Sequence, residues 1–201
     1  MDIEKGCLES GCGFSGFIDT VKSCLDACRI RIIERDGFVP AAVFILFMNR
    51  DNRPHVLLTK RTDKVKTHKG QISFPGGAID DLDSDILDTA YRETFEEVGI
   101  SRERITCLGR FDDYVSIAHF NVSTFVGYVD YPVEYQVNDF EIEEVVEAPF
   151  DIFLEERYDK IGFNYFEGHS YKVYYYNFNS HVIWGMTAHI LTDLARRIRQ
   201  G

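Results

Sequence analysis

One stretch near the middle of the chain, residues 76–100 (GGAIDDLDSDILDTAYRETFEEVGI), limits what the rest can build. Its last nine residues place Arg92, Glu93, Glu96 and Glu97 within two turns of a predicted helix. Three carboxylates at positions i, i+3 and i+4 share one helical face, and like charges that close destabilise a helix unless positive charge lies among them. A hard divalent cation, which prefers oxygen ligands, is the natural candidate.

The composition predicts one main folded unit. The chain has 201 residues, of which 45% are hydrophobic, enough for one sizeable core or at most two small ones. The five prolines are scattered and no repeat is visible. No apolar stretch approaches the roughly 20 residues of a membrane span, and the first residues lack the apolar core of a signal peptide. We therefore expect a cytoplasmic protein with no membrane partner.

The net charge of −11 argues against general nucleic-acid binding, because phosphate backbones need a basic surface. A small anionic substrate needs only a local concentration of positive charge. Such a concentration lies just before the acidic stretch, in Lys60, Arg61, Lys64, Lys66, His68 and Lys69. A solvated hairpin edge explains these residues equally well, so both interpretations stay open.

Four of the five cysteines lie near the N-terminus, at Cys7, Cys12, Cys24 and Cys28. Their spacing matches no zinc pattern, so we expect reduced, partly buried thiols, with an accessory metal site as the alternative.

Hydrophobic periodicity predicts the first elements. An amphipathic helix is expected over residues 14–34, and a hairpin over residues 41–48 and 55–61. A short strand follows at residues 71–74. The acidic helix is expected over residues 84–98, with Asp83 or Ser84 as N-cap and Gly99 as the left-handed residue after its last turn.

The second half of the chain continues in the same mixed order. The expected elements are strands 105–111 and 122–129, a short helix 145–154, a hairpin over residues 160–166 and 171–178, and a final helix capped by Ser180. This order predicts a mixed β-sheet sandwiched between α-helices, a fold of the α/β class or α+β in stricter naming.

The neighbours of the acidic helix suggest a reaction. Alone, the run of Arg92, Glu93, Glu96 and Glu97 could be a solvated face. However, a strand ending in Phe-Pro-Gly-Gly leads to it, and glycines let the backbone approach a ligand closely. Carboxylates that hold Mg²⁺ or Mn²⁺, together with basic side chains, are the parts needed to hydrolyse a phosphoanhydride.

Residues 77–100 resemble the Nudix box, whose pattern is G-x5-E-x7-R-E-U-x-E-E-x-G-U, where U is aliphatic. The positions that match are Arg92, Glu93, Glu96, Glu97, Gly99 and Ile100. Three features depart from it. Asp83 stands where the first Glu should be, one extra residue lies between Asp83 and Arg92, and Thr94 replaces the first aliphatic residue.

These departures resemble the coenzyme A pyrophosphatase-like branch of the Nudix hydrolases, which carries an upstream signature LLTxRxxxxxxHxGQxxFPGG. The matching positions here are Leu57, Leu58, Thr59, Arg61, His68, Gly70, Gln71, Phe74, Pro75, Gly76 and Gly77. Segments 141–149 and 183–188 also look like this branch. The resemblance implies a Nudix domain over residues 39–201. Residues 1–38 lie outside the resemblance, and we expect them to form a helical extension packed on that domain.

The resemblance also implies roles for individual residues. Glu93 and Glu97 would be ligands of Mg²⁺ or Mn²⁺, and Glu96 a third ligand or one bound through water. Arg92 would orient these carboxylates. A further catalytic carboxylate would come from Glu144, with Glu141 as its competitor.

On the substrate side, Arg61 and His68 would meet phosphates. Gln71 and Phe74 would shape the pocket, although Phe74 could equally be core. Gly76 and Gly77 would lie close to the substrate, and the Gly77 carbonyl could face the metal or simply form the turn.

The implied activity is metal-dependent hydrolysis of a diphosphate linkage in a small nucleotide, coenzyme A or its acyl or oxidised forms. The products would be 3′,5′-ADP and 4′-phosphopantetheine. Two alternatives stay open: the same chemistry on ADP-ribose, dinucleoside polyphosphates or nucleoside triphosphates, and an inactive nucleotide-binding module. A homodimer is compatible with the sequence.

Overall fold

The computed structural model describes residues 13–64 and 69–200, and a hairpin lies at its centre. Strand β1 (Val39–Arg50) pairs antiparallel with β2 (Arg53–Arg61), with Phe47 opposite Val56. Asp51 and Asn52 join them with φ of 53° and 61°, the backbone that a two-residue hairpin turn requires. The predicted hairpin is confirmed, with both strands extended to the turn.

Six further strands complete an eight-stranded mixed sheet. They are β3 (Ile72–Ser73), β4 (Gly76–Ala78), β5 (Ile105–Arg110), β6 (Tyr114–Val115), β7 (Phe120–Val129) and β8 (Ile142–Pro149). One edge of β1 pairs in parallel with β7, and its other edge is shared by β2 and β4. Strand β2 in turn carries β8 and β3. The chain between β3 and β4 therefore passes from β2 to β1, in the middle of the sheet.

Helices cover both faces of this sheet. They are α1 (Gly13–Ala27), α2 (Ile86–Val98), the single turn α3 (Asp151–Leu154) and α4 (Gly185–Gln200). A second, three-stranded sheet consists of β9 (Lys160–Phe166), β10 (His169–Phe178) and β11 (His181–Trp184). Helix α2 lies on one face, whereas α1, α4 and the second sheet pack on the other. The predicted fold class, a mixed sheet sandwiched between helices, is confirmed.

Strand β1 is buried on both faces, which explains its unbroken apolar sequence. Phe44 and Leu46 pack with Ala90 and Val98 of α2. Phe47 and its neighbours on the opposite face pack with α1 and α4, because successive side chains of a strand alternate. The extension helix α1 therefore shares the main core, although the boundary at residue 38 stays a prediction.

Helix α1 is shorter than predicted and ends at Ala27 instead of residue 34. The chain beyond it hydrogen-bonds to two buried aspartates. The amide of Arg31 donates to Asp112 Oδ1 at 2.9 Å, and the amide of Ile33 donates to Asp113 Oδ2 at 2.9 Å. These tertiary bonds replace helical ones, which periodicity within the segment could not reveal.

The predicted helix at residues 145–154 is wrong over most of its length. Strand β8 occupies the first part and pairs antiparallel with β2, with Val146, Ala148 and Ile142 buried. Only Asp151–Leu154 is helical. Because pairing along β2 satisfies the backbone, the low strand propensity of the glutamates is overridden.

The final helix also begins later than predicted, at Gly185, because β11 pairs with β10 where the Ser180 cap was expected. The hairpin before it is confirmed and turns at Glu167 and Gly168, with φ of 51° and 81°. Within the two described ranges, no helix is long and apolar enough to cross a membrane.

Candidate active site

The acidic helix α2 is fixed at both ends. Asp85 is its N-cap and accepts from the amides of Leu87 at 2.9 Å and Asp88 at 2.8 Å, so the predicted caps Asp83 and Ser84 are wrong. Gly99 has φ of 74° and donates its amide to Phe95 at 2.9 Å, which confirms the predicted left-handed end. The cap shift matters because it leaves the Asp83 side chain available for another partner.

That partner is Arg92. Its Nε and Nη2 donate to the two carboxylate oxygens of Asp83 at 2.9 and 3.0 Å, and Nη2 also reaches the carbonyl of Ala78 at 3.0 Å. The hydroxyl of Thr89 donates to the same carboxylate at 2.8 Å. Hydrogen bonds from Arg92 hold the pKa of Asp83 well below its usual range. Asp83 and the Ala78 carbonyl therefore hold the side of the Arg92 guanidinium that faces away from the helix acids.

The remaining nitrogen of Arg92 faces the helix acids. Nη1 donates to Glu93 Oε1 at 2.8 Å and to Glu96 Oε2 at 3.2 Å. This geometry suits the orienting role predicted for Arg92. Glu96 itself points outward, with 53% of its side chain exposed.

Glu97 has a different environment. It is only 2% exposed, and its nearest side-chain partners are distant: Arg61 Nη1 at 3.3 Å and the Thr59 hydroxyl at 3.5 Å. The amide of Gly76 also donates to it. Burial raises the pKa of Glu97 to about 8, nearby carboxylates add to this, and Arg61 opposes it. Glu97 is thus a buried acid whose ion pair with Arg61 is loose.

Glu93 packs against strand β4. A side chain at position 77 would clash with it, since a Cβ atom on Gly77 would lie 2.4 Å from Glu93 Oε1. Gly76 is equally confined, with the Ala42 carbonyl oxygen 2.3 Å from the place of a Cβ. Burial raises the pKa of Glu93, with contributions from Glu96 and Glu141, and Arg92 opposes the shift. Gly77 thus lets strand β4 approach the acidic helix closely, and Gly76 lets it approach strand β1 closely.

The second carboxylate segment favours Glu141 over the predicted Glu144. Arg61 Nη2 lies 3.5 Å from Glu141 Oε2, and the charge of Glu141 raises the pKa of both Glu93 and Glu97. Glu144 instead lies opposite Lys60 in the β2–β8 register, and its Oε1 is 3.4 Å from His181 Nε2. Lys60 and Arg61 project to different faces of β2, so the two glutamates are separated by the sheet.

Three predicted site residues remain, and they are Gln71, Phe74 and His68. The carbonyl of Gln71 accepts from the Arg61 amide at 3.0 Å and so closes the base of the basic loop. Phe74 is 3% exposed and belongs to the main core, so it lines no open surface, and its alternative core role holds. His68 lies outside the described residues.

An oxygen-rich donor set fits a hard divalent cation here. Glu93 and Glu97, with Glu141, would hold it. In residues 13–64 and 69–200, no three acidic, histidine or cysteine side chains already converge as ligands. Arg92 holds Glu96 outward and Arg61 lies between Glu97 and Glu141, so binding requires movement of these side chains.

Sequence reasoning missed the contact of Thr59 with Glu97, the contact of Glu141 with Arg61, and the anchoring of Arg92 by Asp83. The position of Thr59 could have been predicted from the sequence, since residues two apart on a strand, such as Thr59 and Arg61, lie on the same face. The other two depend on the packing of a loop.

Comparison with known proteins places this geometry in context. The model of the NUDIX domain matches residues 39–167. An uncharacterized Nudix hydrolase, NudL, of Enterobacter sp. (strain 638) is 35% identical over 159 residues, 79% of this chain and 82% of that protein. The NudL of Photorhabdus laumondii is 32% identical over 151 residues, 73% of this chain and 79% of that protein.

Among solved structures, the crystal structure of a C. elegans Ap4A hydrolase binary complex superposes with a TM-score of 0.50. It is 19% identical and covers 57% of this chain and 83% of that chain, a likeness of fold alone.

Proposed function

The chain belongs to the Nudix hydrolases of pyrophosphate bonds, and on that premise we propose that it cleaves the diphosphate of coenzyme A or of its acyl or oxidised forms. The products are 3′,5′-ADP and 4′-phosphopantetheine. The observation that carries the proposal is the buried, poorly paired Glu97 beside Glu93, directly under the Gly76–Gly77 backbone. A purely binding role does not need carboxylates crowded at that depth.

Nudix hydrolases generally use divalent metal ions, and we propose Mg²⁺ or Mn²⁺ held by Glu93, Glu97 and Glu141. When bound, such an ion neutralises phosphate oxygens and makes water more acidic. Ligand carboxylates must be ionised, so Glu97 has to release the proton that burial retains. Arg92, held by Asp83, keeps the Glu93 carboxylate in one orientation.

Substrate contacts are assigned to the end of β2 and the loop after it. Arg61 presents a planar guanidinium that can bind a phosphate through two hydrogen bonds. His68 keeps its predicted phosphate-binding role. In a chain of net charge −11, the basic residues around Arg61 are where an anion would be attracted.

The preference for coenzyme A is supported by the upstream signature, Leu57 to Gly77, and not by the acidic helix. The cytoplasmic location, the division at residue 38 and the homodimer stay predictions.

A hydrolysis panel tests the proposal. Coenzyme A, its disulfide, acetyl-coenzyme A, ADP-ribose, diadenosine tetraphosphate and ATP are compared in Mg²⁺ and in Mn²⁺, with products identified by chromatography. We expect the highest kcat/KM for a coenzyme A form, and the Glu97→Gln variant reports contaminating activity. ADP-ribose clearly outrunning coenzyme A would reject the substrate. No hydrolysis of any compound, together with tight binding that needs no metal, would reject the enzyme.

A further inference from the structure

Arg61 joins two acids that belong to different parts of the site. Its Nη1 lies 3.3 Å from Glu97 Oε1 and its Nη2 lies 3.5 Å from Glu141 Oε2. Charge-assisted hydrogen bonds of a guanidinium are usually about 2.7–2.9 Å long. Arg61 therefore holds both carboxylates by weak contacts.

The other arginine of the site shows what a tight contact looks like here. Arg92 grips both oxygens of Asp83 at 2.9 and 3.0 Å and adds a backbone carbonyl. Arg61 is fixed mainly through its backbone, whose amide donates to the Gln71 carbonyl and whose carbonyl accepts from the Gly70 amide at 3.1 Å. Its side chain can consequently move while the strand end stays in place.

The carboxylates held by Arg61 are two of the three that the proposed function assigns to the cation. Burial and the charge of Glu141 raise the pKa of both Glu93 and Glu97, and Arg61 opposes the rise at Glu97. A guanidinium and a divalent cation compete for the same oxygens, because two positive charges about 4 Å apart repel strongly in a partly buried site.

Resting on the proposed function, we infer that Arg61 is an internal competitor of the metal. Its guanidinium neutralises Glu97 and Glu141 until a divalent cation takes those oxygens, and the released side chain then binds the substrate's phosphates. Metal binding and phosphate binding are thereby coupled through one side chain. Such coupling is reciprocal, so the phosphate ligand must also strengthen metal binding.

The inference makes two predictions of opposite sign for one substitution. Without the Arg61 charge, the metal meets no competitor, so its affinity rises. The phosphates lose a ligand, so substrate affinity falls. Substitution of a residue that served only substrate binding would lower the affinity for substrate and leave the affinity for metal unchanged.

The test is a calorimetric titration of Mn²⁺ into the full chain, after chelator treatment and without substrate. Arg61→Gln is compared with the wild type and with Arg53→Gln. Arg53 is a matched control, since it begins the same strand, is 73% exposed and lies 3.8 Å from Asp151. We expect Arg61→Gln to lower the Kd for Mn²⁺ about fivefold or more, and Arg53→Gln to change it less than about twofold.

Two additions sharpen the result. Millimolar guanidinium ion, added to Arg61→Gln, should raise its Kd towards the wild-type value and should leave Arg53→Gln unchanged. Arg61→Lys keeps the charge but lacks the planar fork, so its Kd should fall by less than that of Arg61→Gln. If Arg61→Gln does not fold, Arg61→Lys carries the test.

The outcomes separate the two proposals. A wild-type chain that binds no Mn²⁺ overturns the metal-dependent function and the inference with it. A wild type that binds Mn²⁺, with Arg61 variants that bind it equally or more weakly, overturns the inference alone.

Discussion

Among the described residues, two places that bury acidic side chains treat them in opposite ways. At the Asp112–Asp113 pair, every carboxylate oxygen has a donor at 2.9 Å or less, from Arg197, Arg110 and the amides of Arg31 and Ile33. At Glu97, the nearest side-chain donors lie at 3.3 and 3.5 Å. Both regions are almost fully buried.

The difference separates stability from chemistry. Buried charges are tolerated when they are paired and hydrogen-bonded, and the aspartate pair meets that condition while tying the segment after α1 to the sheet. Glu97 does not meet that condition. Its burial therefore lowers the stability of the folded state, and a bound ligand is needed to restore it. Both regions bury carboxyl groups to a similar extent, and the closeness of their hydrogen-bond donors is what distinguishes them.

The largest effect is expected at Glu97. Glu97→Gln removes the acid while keeping its shape, and we expect kcat to fall by about 10³-fold, comparable to the loss of one preorganised polar group in an active site. Thermal unfolding without metal should be unchanged or shift to higher temperature, because a strained buried carboxyl is gone. A variant with near-normal kcat in saturating metal would contradict the ligand assignment.

Asp113→Asn is the counterpart and should show the reverse pattern. Breaking a buried pair leaves Arg110 without its partner, so we expect a loss of about 3 kcal/mol in the free energy of unfolding, measured with urea. The kcat of the folded fraction should stay within about twofold. A large fall in kcat with stability intact would show that the two regions are not separate.

The pH dependence of stability gives a third comparison. The folded pKa of Glu97 is raised to about 8, so between its ordinary value near 4.5 and 8 the unfolded chain releases a proton that the folded chain keeps. Stability contributed through Glu97 therefore falls as pH rises through that window. In chelator, wild type minus Glu97→Gln should change by on the order of 2 kcal/mol between pH 5.5 and 7.5. A flat difference would place Glu97 in a more polar site.

The smallest effect concerns the acids of strand β8 and the loop before it. Glu141→Gln should lower kcat about tenfold, as for groups that support a metal ligand, because Glu141 shares Arg61 with Glu97. Glu144→Gln, beside His181 on the other face, should change kcat less than about twofold. The opposite order would restore the assignment that the sequence favoured.

Local signals predicted the parts of this molecule that depend on local structure. The β1–β2 hairpin, the left-handed Gly99 and the turn at Glu167–Gly168 follow from turn residues and periodicity, and all were confirmed. The helix predicted over residues 145–154 failed because strand pairing with β2 decides that segment. Helix α1 was overextended for a similar reason, since Asp112 and Asp113 lie about 80 residues away along the chain.

The site shows the same division. The crowded acids of α2 could be located from spacing, and the metal role assigned to each of them stays a prediction. The near-complete burial of Glu97 depends on strand β4 as well as on its own helix, since the amide of Gly76 donates to it. The preference for Glu144 over Glu141 stays a prediction, although the structure places Glu141 beside Arg61, next to a register shift between Lys60 and Arg61.

The ion pair of Asp83 with Arg92 bears on how sequence patterns are written. Aspartate is one methylene shorter than the glutamate of the pattern, and the segment from it to Arg92 is one residue longer. The shorter side chain and the longer segment offset each other, and both carboxylate oxygens of Asp83 accept from the Arg92 guanidinium at 2.9 and 3.0 Å. Asp83 thus reaches Arg92 through both oxygens in spite of the changed spacing. A pattern search that scored the distance a side chain can span, rather than residue types at fixed spacing, would count this chain as an intact match.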